Sequence, residues 1–420
     1  MKRRLVVLLI LSVAFTPAAS CLGQAGSAKT GAAEDLLVIR GGTVHTVSGK
    51  DIPNGTVVVK NGSIVAVGAS VAIPPGARTI DARGLHVYPG MIDARNNMGL
   101  TEIGSVRETS DYAELGDFNP HLMAASAINP ASEHIAVTRA NGITTVLSCP
   151  SGGIISGQAA LINLAGWTID EMAVRKSAGM IINFPSLRGG ASSAESRRVA
   201  ELREFLEKAR HYAQARAAEA PDIKRDLKLE ALIPVIKGDM PALLSVSSAR
   251  DIRSAIEFAD KEKIKIVLTG ADEAWKETDL LKKKNVPVIL GPTFESPRRE
   301  DEPYDRAFTT ATDLYKAGIK FAFSTRRASS AHDLPCQAAH AAAFGLPEEE
   351  ALKAVTLYPA EILGVKELGS IDAGKMANLI VTDGDPLESR TQVKHLVIHG
   401  RVTSTENKHT QLYRKYMARP

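Results

Sequence analysis

Short apolar runs, each stopped by glycine, proline or a polar pair, punctuate the chain from one end to the other. Near the start, Leu36 to Arg40 leads into Gly41-Gly42, and Thr56 to Lys60 is joined to Ser63 to Val67 by Asn61-Gly62. Both residues of an Asn-Gly pair tolerate positive φ, so this junction predicts a two-residue β-hairpin with a type I′ turn. Near the end, Ala377 to Val381 and Val393 to Gly400 again read as strands, the second carrying His395 and His399 at a spacing that would hold both on one face. Two β-rich ends around a different middle predict one composite β-sandwich domain built from residues 34–86 and 366–405.

Between the ends, apolar strands alternate with segments of helical period. The strands are expected at Leu85 to Ala94, Ile143 to Ser148, Ala159 to Leu164, Met180 to Phe184, Leu243 to Val246, Ile264 to Leu268, Val286 to Leu290 and Phe321 to Ser324. Helical periods lie at Ala249 to Asp260, Asp272 to Lys284 and Tyr304 to Ala317. Strands alternating with helices predict a parallel sheet, and eight of them fit a closed (β/α)8 TIM-like barrel over residues 87–365, with its site at the C-terminal ends of the strands. The fold class is therefore α/β, a barrel with a composite β-sandwich. A charged helix from Ser192 to Ala220, opened by the capping box Ser192-x-x-Glu195, is expected as an insertion after the fourth strand.

Composition adds bounds rather than detail. The 420 residues, 44% hydrophobic and 23% charged, suffice for one large domain and a smaller one. The net charge of +4 is spread along the chain, which implies neither nucleic acid nor anionic lipid as a partner. Lys2-Arg3-Arg4, the apolar run Leu5 to Phe15 and the small residues Ala18, Ala19 and Ser20 have the order of a secretory signal, taken as residues 1–25. An exported protein, periplasmic or extracellular, is expected, and Cys21 is placed where a lipid anchor would be attached. Cys149 and Cys336 both follow apolar strands and are expected to be free thiols.

The end of the first barrel strand carries the most informative chemistry. Pro89-Gly90-Met91-Ile92-Asp93-Ala94 runs into Arg95-Asn96-Asn97. Further blocks are Arg40-Gly41-Gly42-Thr43-Val44, Val286 to Pro292, Leu352 to Ala360, and Gly369-Ser370-Ile371-Asp372-Ala373-Gly374-Lys375-Met376-Ala377-Asn378-Leu379. In this order they resemble the amidohydrolase superfamily, in its imidazolonepropionase-like and prolidase-like branch. The resemblance covers nearly all of the chain after the leader. It implies a hydrolase of carbon–nitrogen bonds in cyclic amide or dipeptide-like substrates. It also implies zinc or another divalent metal, held by a His-x-His pair on strand one and further ligands on strands four, five, six and eight.

This chain departs from that pattern at each ligand position. Arg95 and Asn97 stand at the His-x-His positions, Asn183 is the polar residue on strand four, Ser245 stands on strand five, Gly270 near the strand-six position, and Arg326 at the strand-eight aspartate. An arginine has no lone pair for a metal, and an amide oxygen is a poor ligand for a soft cation. The expectation is no metal cofactor. Candidate replacements are Glu102 paired with Arg95, the Gly-rich turn with Ser151, Gly152 and Gly153, and His332-Asp333 as a base with its orienting carboxylate. Two functions stay open at this point. One is a hydrolase with a rebuilt site and altered or lost catalysis. The other is a non-catalytic protein whose Arg95 and Arg326 take a small amide or carboxylate ligand, or a partner subunit for an active homologue, with homo-oligomers compatible with both.

Overall fold

The computed structural model describes residues 35–186, 193–219, 223–297 and 300–419. The expected leader, Cys21 and the capping residue Ser192 lie outside them. The small sheet begins with β1 (Leu36–Val44), β2 (Ile52–Lys60), β3 (Ser63–Gly68), β4 (Arg78–Asp81) and β5 (His86–Pro89). The barrel follows as β6 (Met91–Asn96), β7 (Ile143–Ser148), β8 (Ile155–Asn163), β9 (Ala173–Asn183), β10 (Ala242–Val246), β11 (Ile266–Gly270), β12 (Val288–Leu290) and β13 (Phe321–Ala322). The chain then returns to the small sheet with β14 (Leu379–Thr382), β15 (Val393–Ile398) and β16 (Arg401–Thr403), in the order β16-β15-β14-β5-β1-β2-β3. β14 pairs antiparallel with β5, placing Leu379 opposite Pro89 and Thr382 opposite His86, so both ends of the chain share one sheet.

The Asn61-Gly62 hairpin forms as expected: Lys60 pairs with Ser63, and both turn residues have positive φ, 49° and 83°. The single strand expected over Leu85 to Ala94 is instead two. Gly90 sends its N–H to the Asn378 carbonyl at 2.8 Å, and a Cβ at that position would lie 2.2 Å from Thr144. The glycine is where the chain leaves the small sheet and enters the barrel at closest approach. His395 and His399 also part company, because β15 ends at Ile398 and His399 sits in the following turn with φ +50°.

All eight expected barrel strands are present in the order β13-β12-β11-β10-β9-β8-β7-β6. One runs the wrong way for an all-parallel barrel. β8 is antiparallel to both β7 and β9, whereas β6–β7 and β9 through β13 pair in parallel. A parallel crossover needs a dozen or more residues. Ser148 and Ile155 are joined by 149–154 alone, so the strand must fold straight back. Closure between the last and first strands comes from Ala94 N–H to the Phe323 carbonyl at 3.3 Å and Arg326 N–H to the Arg95 carbonyl at 3.0 Å.

Inside the barrel, Ile92, Leu147, Leu161, Ile181, Leu243, Val267, Ile289 and Ala322 form one buried cluster. Ala360, Leu363, Val365 and Leu368 are part of it and fill one end. The opposite faces of the strands pack against helices such as Ala249–Glu262. There Ser248 caps the first turn by accepting from the Asp251 N–H at 3.2 Å, and Ile252, Ala255, Ile256 and Ala259 are buried. The insertion helix, Ser193–Ala217, buries Leu202, Leu206 and Ala209.

Candidate functional site at the barrel mouth

Side chains alternate along a strand, so the residue two past each interior core residue belongs to the next layer of the barrel. Two past Leu147, Ile181, Leu243 and Val267 come Cys149, Asn183, Ser245 and Thr269. All four line a cavity of about 570 Å³ at the C-terminal ends of the strands, together with Arg95, Asn97, Ser151, Ser247, Asp251, Asp272 and Arg326. Arg95 enters by a different route. Simple alternation after Ile92 and Ala94 would turn it outward, but the β6–β7 register shifts between Asp93 and Asn96, and such a bulge re-aims the side chain.

Arg95 donates from Nη1 to Thr269 Oγ1 at 2.6 Å, and Thr269 Oγ1 lies 3.2 Å from Ser245 Oγ. No carboxylate of the described residues pairs with Arg95. Burial pushes its pKa down, the Cys149 thiol opposes this, and the Arg326 charge adds to it. Glu102, expected to be the partner, is elsewhere: its carboxylate takes Asn129 Nδ2 at 3.2 Å and its carbonyl meets His134 Nε2 at 2.9 Å. The loop carrying it turns away from the strand end, and a hydroxyl on β11 supplies the contact instead.

Arg326 has φ +61°, which aims its guanidinium back across the mouth. Nη2 approaches Asp272 Oδ1 at 3.5 Å and Nη1 approaches Glu295 Oε1 at 3.8 Å, while Nε is buried without a partner among the described residues. Two glycines make the room. A Cβ on Gly270 would lie 2.9 Å from Nη2, and one on Gly291 would lie 2.7 Å from Nη2 and 3.0 Å from Cζ. The Arg326 guanidinium therefore fills the space that a Gly270 side chain would take. Asp272 also accepts from Ser247 Oγ at 2.5 Å, and Asp251 accepts from Ser186 Oγ at 3.0 Å.

The remaining sequence candidates separate into those that line the cavity and those that do not. Asn97 lines it, but its amide is committed to the fold: Oδ1 accepts from the Ala328 N–H at 2.7 Å and Nδ2 donates to Thr101 at 3.2 Å. Asn183 donates to the Gly153 carbonyl at 2.9 Å and to Ser156 Oγ at 3.0 Å, fixing the Gly-rich turn. Of Ser151, Gly152 and Gly153, Ser151 lines the cavity. Gly152 and Gly153, at φ +90° and +60°, pack instead against the first loop, where a Cβ on Gly153 would lie 2.5 Å from the Gly116 carbonyl. His332 and Asp333 do meet, at 3.3 Å, but His332 faces another cavity beside Asn141 and Thr382. The helix that follows β13 carries them past the mouth.

Two contributors went unrecognised in the sequence. Asp93, fully buried, accepts from Thr325 through both N–H and hydroxyl, from Asn96 Nδ2 at 2.9 Å and from the Arg95 N–H at 3.2 Å. Burial outweighs these bonds and lifts its pKa to about 6. Cys149 is pushed up to about 12 by burial, so it presents a neutral thiol to the cavity rather than a nucleophile. It and Cys336, which lies in the helix Leu334–Ala343, are both free. Among the described residues, no three His, Cys, Asp or Glu side chains converge as a metal site would need.

Residues 245–403 match the amidohydrolase family. The amidohydrolase tasK of Hapsidospora irregularis is 24% identical over 79% of this chain and 38% of its own length. The dihydroorotase of Geobacter sulfurreducens is 30% identical over 39% of this chain and 39% of its own. The chain thus spans about two fifths of the length of these curated relatives. Among solved structures, an amidohydrolase from Thermotoga maritima superposes with a TM-score of 0.79 at 27% identity, covering 88% of this chain and 99% of that one.

Proposed function

We propose that the barrel mouth of this chain, which matches the amidohydrolase family over residues 245–403 and superposes on an amidohydrolase at 27% identity, binds a small carboxylate-bearing molecule at a site where metal-dependent hydrolysis has been lost or altered. One observation carries the reading: the Arg326 guanidinium lies in the space vacated at Gly270, with Arg95 beside it on the first strand. The positions that would hold a divalent cation by resemblance are Arg95, Asn97, Asn183, Ser245, Gly270 and Arg326. Two fixed cations, two amides already bonded to backbone and hydroxyl groups, a serine and a glycine do not fit such an ion.

An anion fits better. Arg95 is desolvated, has one hydroxyl partner and no carboxylate among the described residues, and a carboxylate reaching it would receive charge-assisted hydrogen bonds in a sheltered site. Arg326, already facing Asp272 and Glu295, contributes field more than free donors. The hydroxyls of Ser151, Ser245 and Ser247 around them suit a polar ligand. Export is supported by the leader-like pattern of residues 1–25.

Metal analysis of the purified protein, followed by a thermal-shift screen of small carboxylates, tests the proposal. The expected result is substoichiometric zinc, manganese and iron, and a carboxylate-dependent rise in melting temperature that Arg95→Ala abolishes. Stoichiometric metal, or a ligand response unchanged in Arg95→Ala and Arg326→Ala, would reject it.

A further inference from the structure

A second cavity, of about 370 Å³, lies beside the first and shares two of its walls, Tyr112 and Pro150. Its lining differs in kind: Leu100, Leu122, Met123, Ala124 and Ala127 stand where the mouth has arginines and asparagines, and Ser126 and Ser156 are its hydroxyls. Backbone pairing holds the partition, since the Ser151 N–H reaches the Tyr112 carbonyl at 2.7 Å and Ala113 bridges to Ser151. Tyr112 is 37% exposed and lines both spaces.

His121 also lines the second cavity, and neither of its ring nitrogens has a hydrogen-bond partner among the described residues, with Nδ1 buried. A buried unpaired lone pair is tolerated more readily than a buried unpaired N–H. The favoured tautomer therefore leaves Nδ1 bare and puts the proton on Nε2, making the accessible edge of the ring a donor. Asp111 and Glu114 stand at the rim, so a second anionic group is excluded from this side.

We infer that the ligand has two parts: a carboxylate seated at Arg95 and a neutral, largely apolar arm that passes Tyr112 into the second cavity and offers a hydrogen-bond acceptor to His121. This rests on the carboxylate reading of the mouth and extends it to the class of molecule. The arm explains why an apolar cavity with one unpaired imidazole opens next to a cationic one, each being incomplete for a compact ligand.

Binding of acetate, succinate and benzoylpropionate, an aryl-ketone carboxylate, is compared in the full-length protein and in Arg95→Ala, His121→Ala and Ala127→Phe, with melting temperatures recorded for each. Benzoylpropionate is expected to bind at least about tenfold tighter than acetate, because its ring leaves water in the second cavity. That advantage falls several-fold in His121→Ala and vanishes in Ala127→Phe, which fills the space, while acetate binding is unchanged in both. Succinate gains nothing over acetate. If carboxylates bind through Arg95 but the aryl arm brings no advantage, or one that survives both cavity variants, the two-part ligand is overturned and the carboxylate site stands. If no carboxylate binds, both fail.

Discussion

Thr325 spends both of its donors on Asp93, the backbone N–H at 3.2 Å to Oδ1 and the hydroxyl to Oδ2. The two residues come from opposite ends of the barrel sequence, one on β6 and one just after β13, so their contact is part of the seam that closes the sheet on itself. Asp93 is nonetheless fully buried, and its pKa stands at about 6 rather than near 4. A carboxyl whose pKa is raised by folding binds its proton more tightly in the native state. Its contribution to stability is therefore fully present below the unfolded pKa and is lost as pH rises through about 6. Urea unfolding from pH 4 to pH 7 should show a decline of roughly 2–3 kcal/mol from this group. The decline should be absent from Asp93→Asn, and the two curves should run parallel above pH 7. Equal pH slopes in the two proteins would mean that Asp93 is ionised throughout.

Gly291 and Arg326 form a matched pair across two strands. A methyl group on residue 291 would sit 2.7 Å from Nη2 and 3.2 Å from Nε, so Gly291→Ala must push the guanidinium out of its place. Because the displaced group is a side-chain end, the stability cost should be modest, on the order of 1 kcal/mol, and the larger effect should fall on ligand binding. In an Arg326→Ala background the same substitution should cost almost nothing, giving a clear coupling in a double-mutant cycle. Additive effects in thermal unfolding and in carboxylate binding would show that the glycine serves some other neighbour.

The strand positions were legible because each barrel strand is buried on both faces and so writes a nearly continuous apolar run, as in Leu243 to Val246. Direction is not written in such a run. For β8 the information lay in the link 149–154, too short for a crossover, rather than in the strand. At the site, Arg95 and Arg326 could be found because they interrupt a recognisable motif at fixed positions. The relationships that give them their roles could not. Thr269 under Arg95, and Gly270 and Gly291 under Arg326, are contacts between residues far apart in sequence that only the curvature of the barrel brings together. Asp93 was hidden differently: it sits inside an apolar strand, where nothing local distinguishes a buried, fully bonded carboxylate from a surface one.

The insertion helix should depend on one acid. Glu262, 5% exposed at the end of the helix Ala249–Glu262, receives Arg203 Nε at 3.0 Å and Arg210 Nη1 at 2.9 Å, and its carbonyl takes Arg210 Nη2 at 2.6 Å. Glu262→Gln keeps the shape but removes the charge that both arginines face. Since Arg203 is 46% exposed and can rehydrate, the expected cost is about 1–2 kcal/mol, below that of a fully buried pair. Limited proteolysis should cut within residues 193–217 faster in this variant. Unchanged cleavage would show that Leu202, Leu206 and Ala209 alone hold the helix down.

Arg95 should be worth more to the protein as a binding group than as a structural one. It is a desolvated cation beside a second cation, with a single neutral hydroxyl as its side-chain partner. Replacing such a group by an apolar side chain of similar length removes an uncompensated charge. Nothing is orphaned by the change, because Thr269 Oγ1 keeps Ser245 Oγ at 3.2 Å. Arg95→Met should therefore stabilise the protein by about 1–3 kcal/mol, read as a rise in melting temperature, while lowering carboxylate affinity at least about tenfold. A variant that melts earlier than the parent would place Arg95 among the groups that hold the barrel together. One that gains stability and still binds carboxylates would move the anion site to Arg326. Only opposite signs for stability and binding are consistent with a charge kept at the mouth at a cost to the fold, because its partner arrives with the ligand.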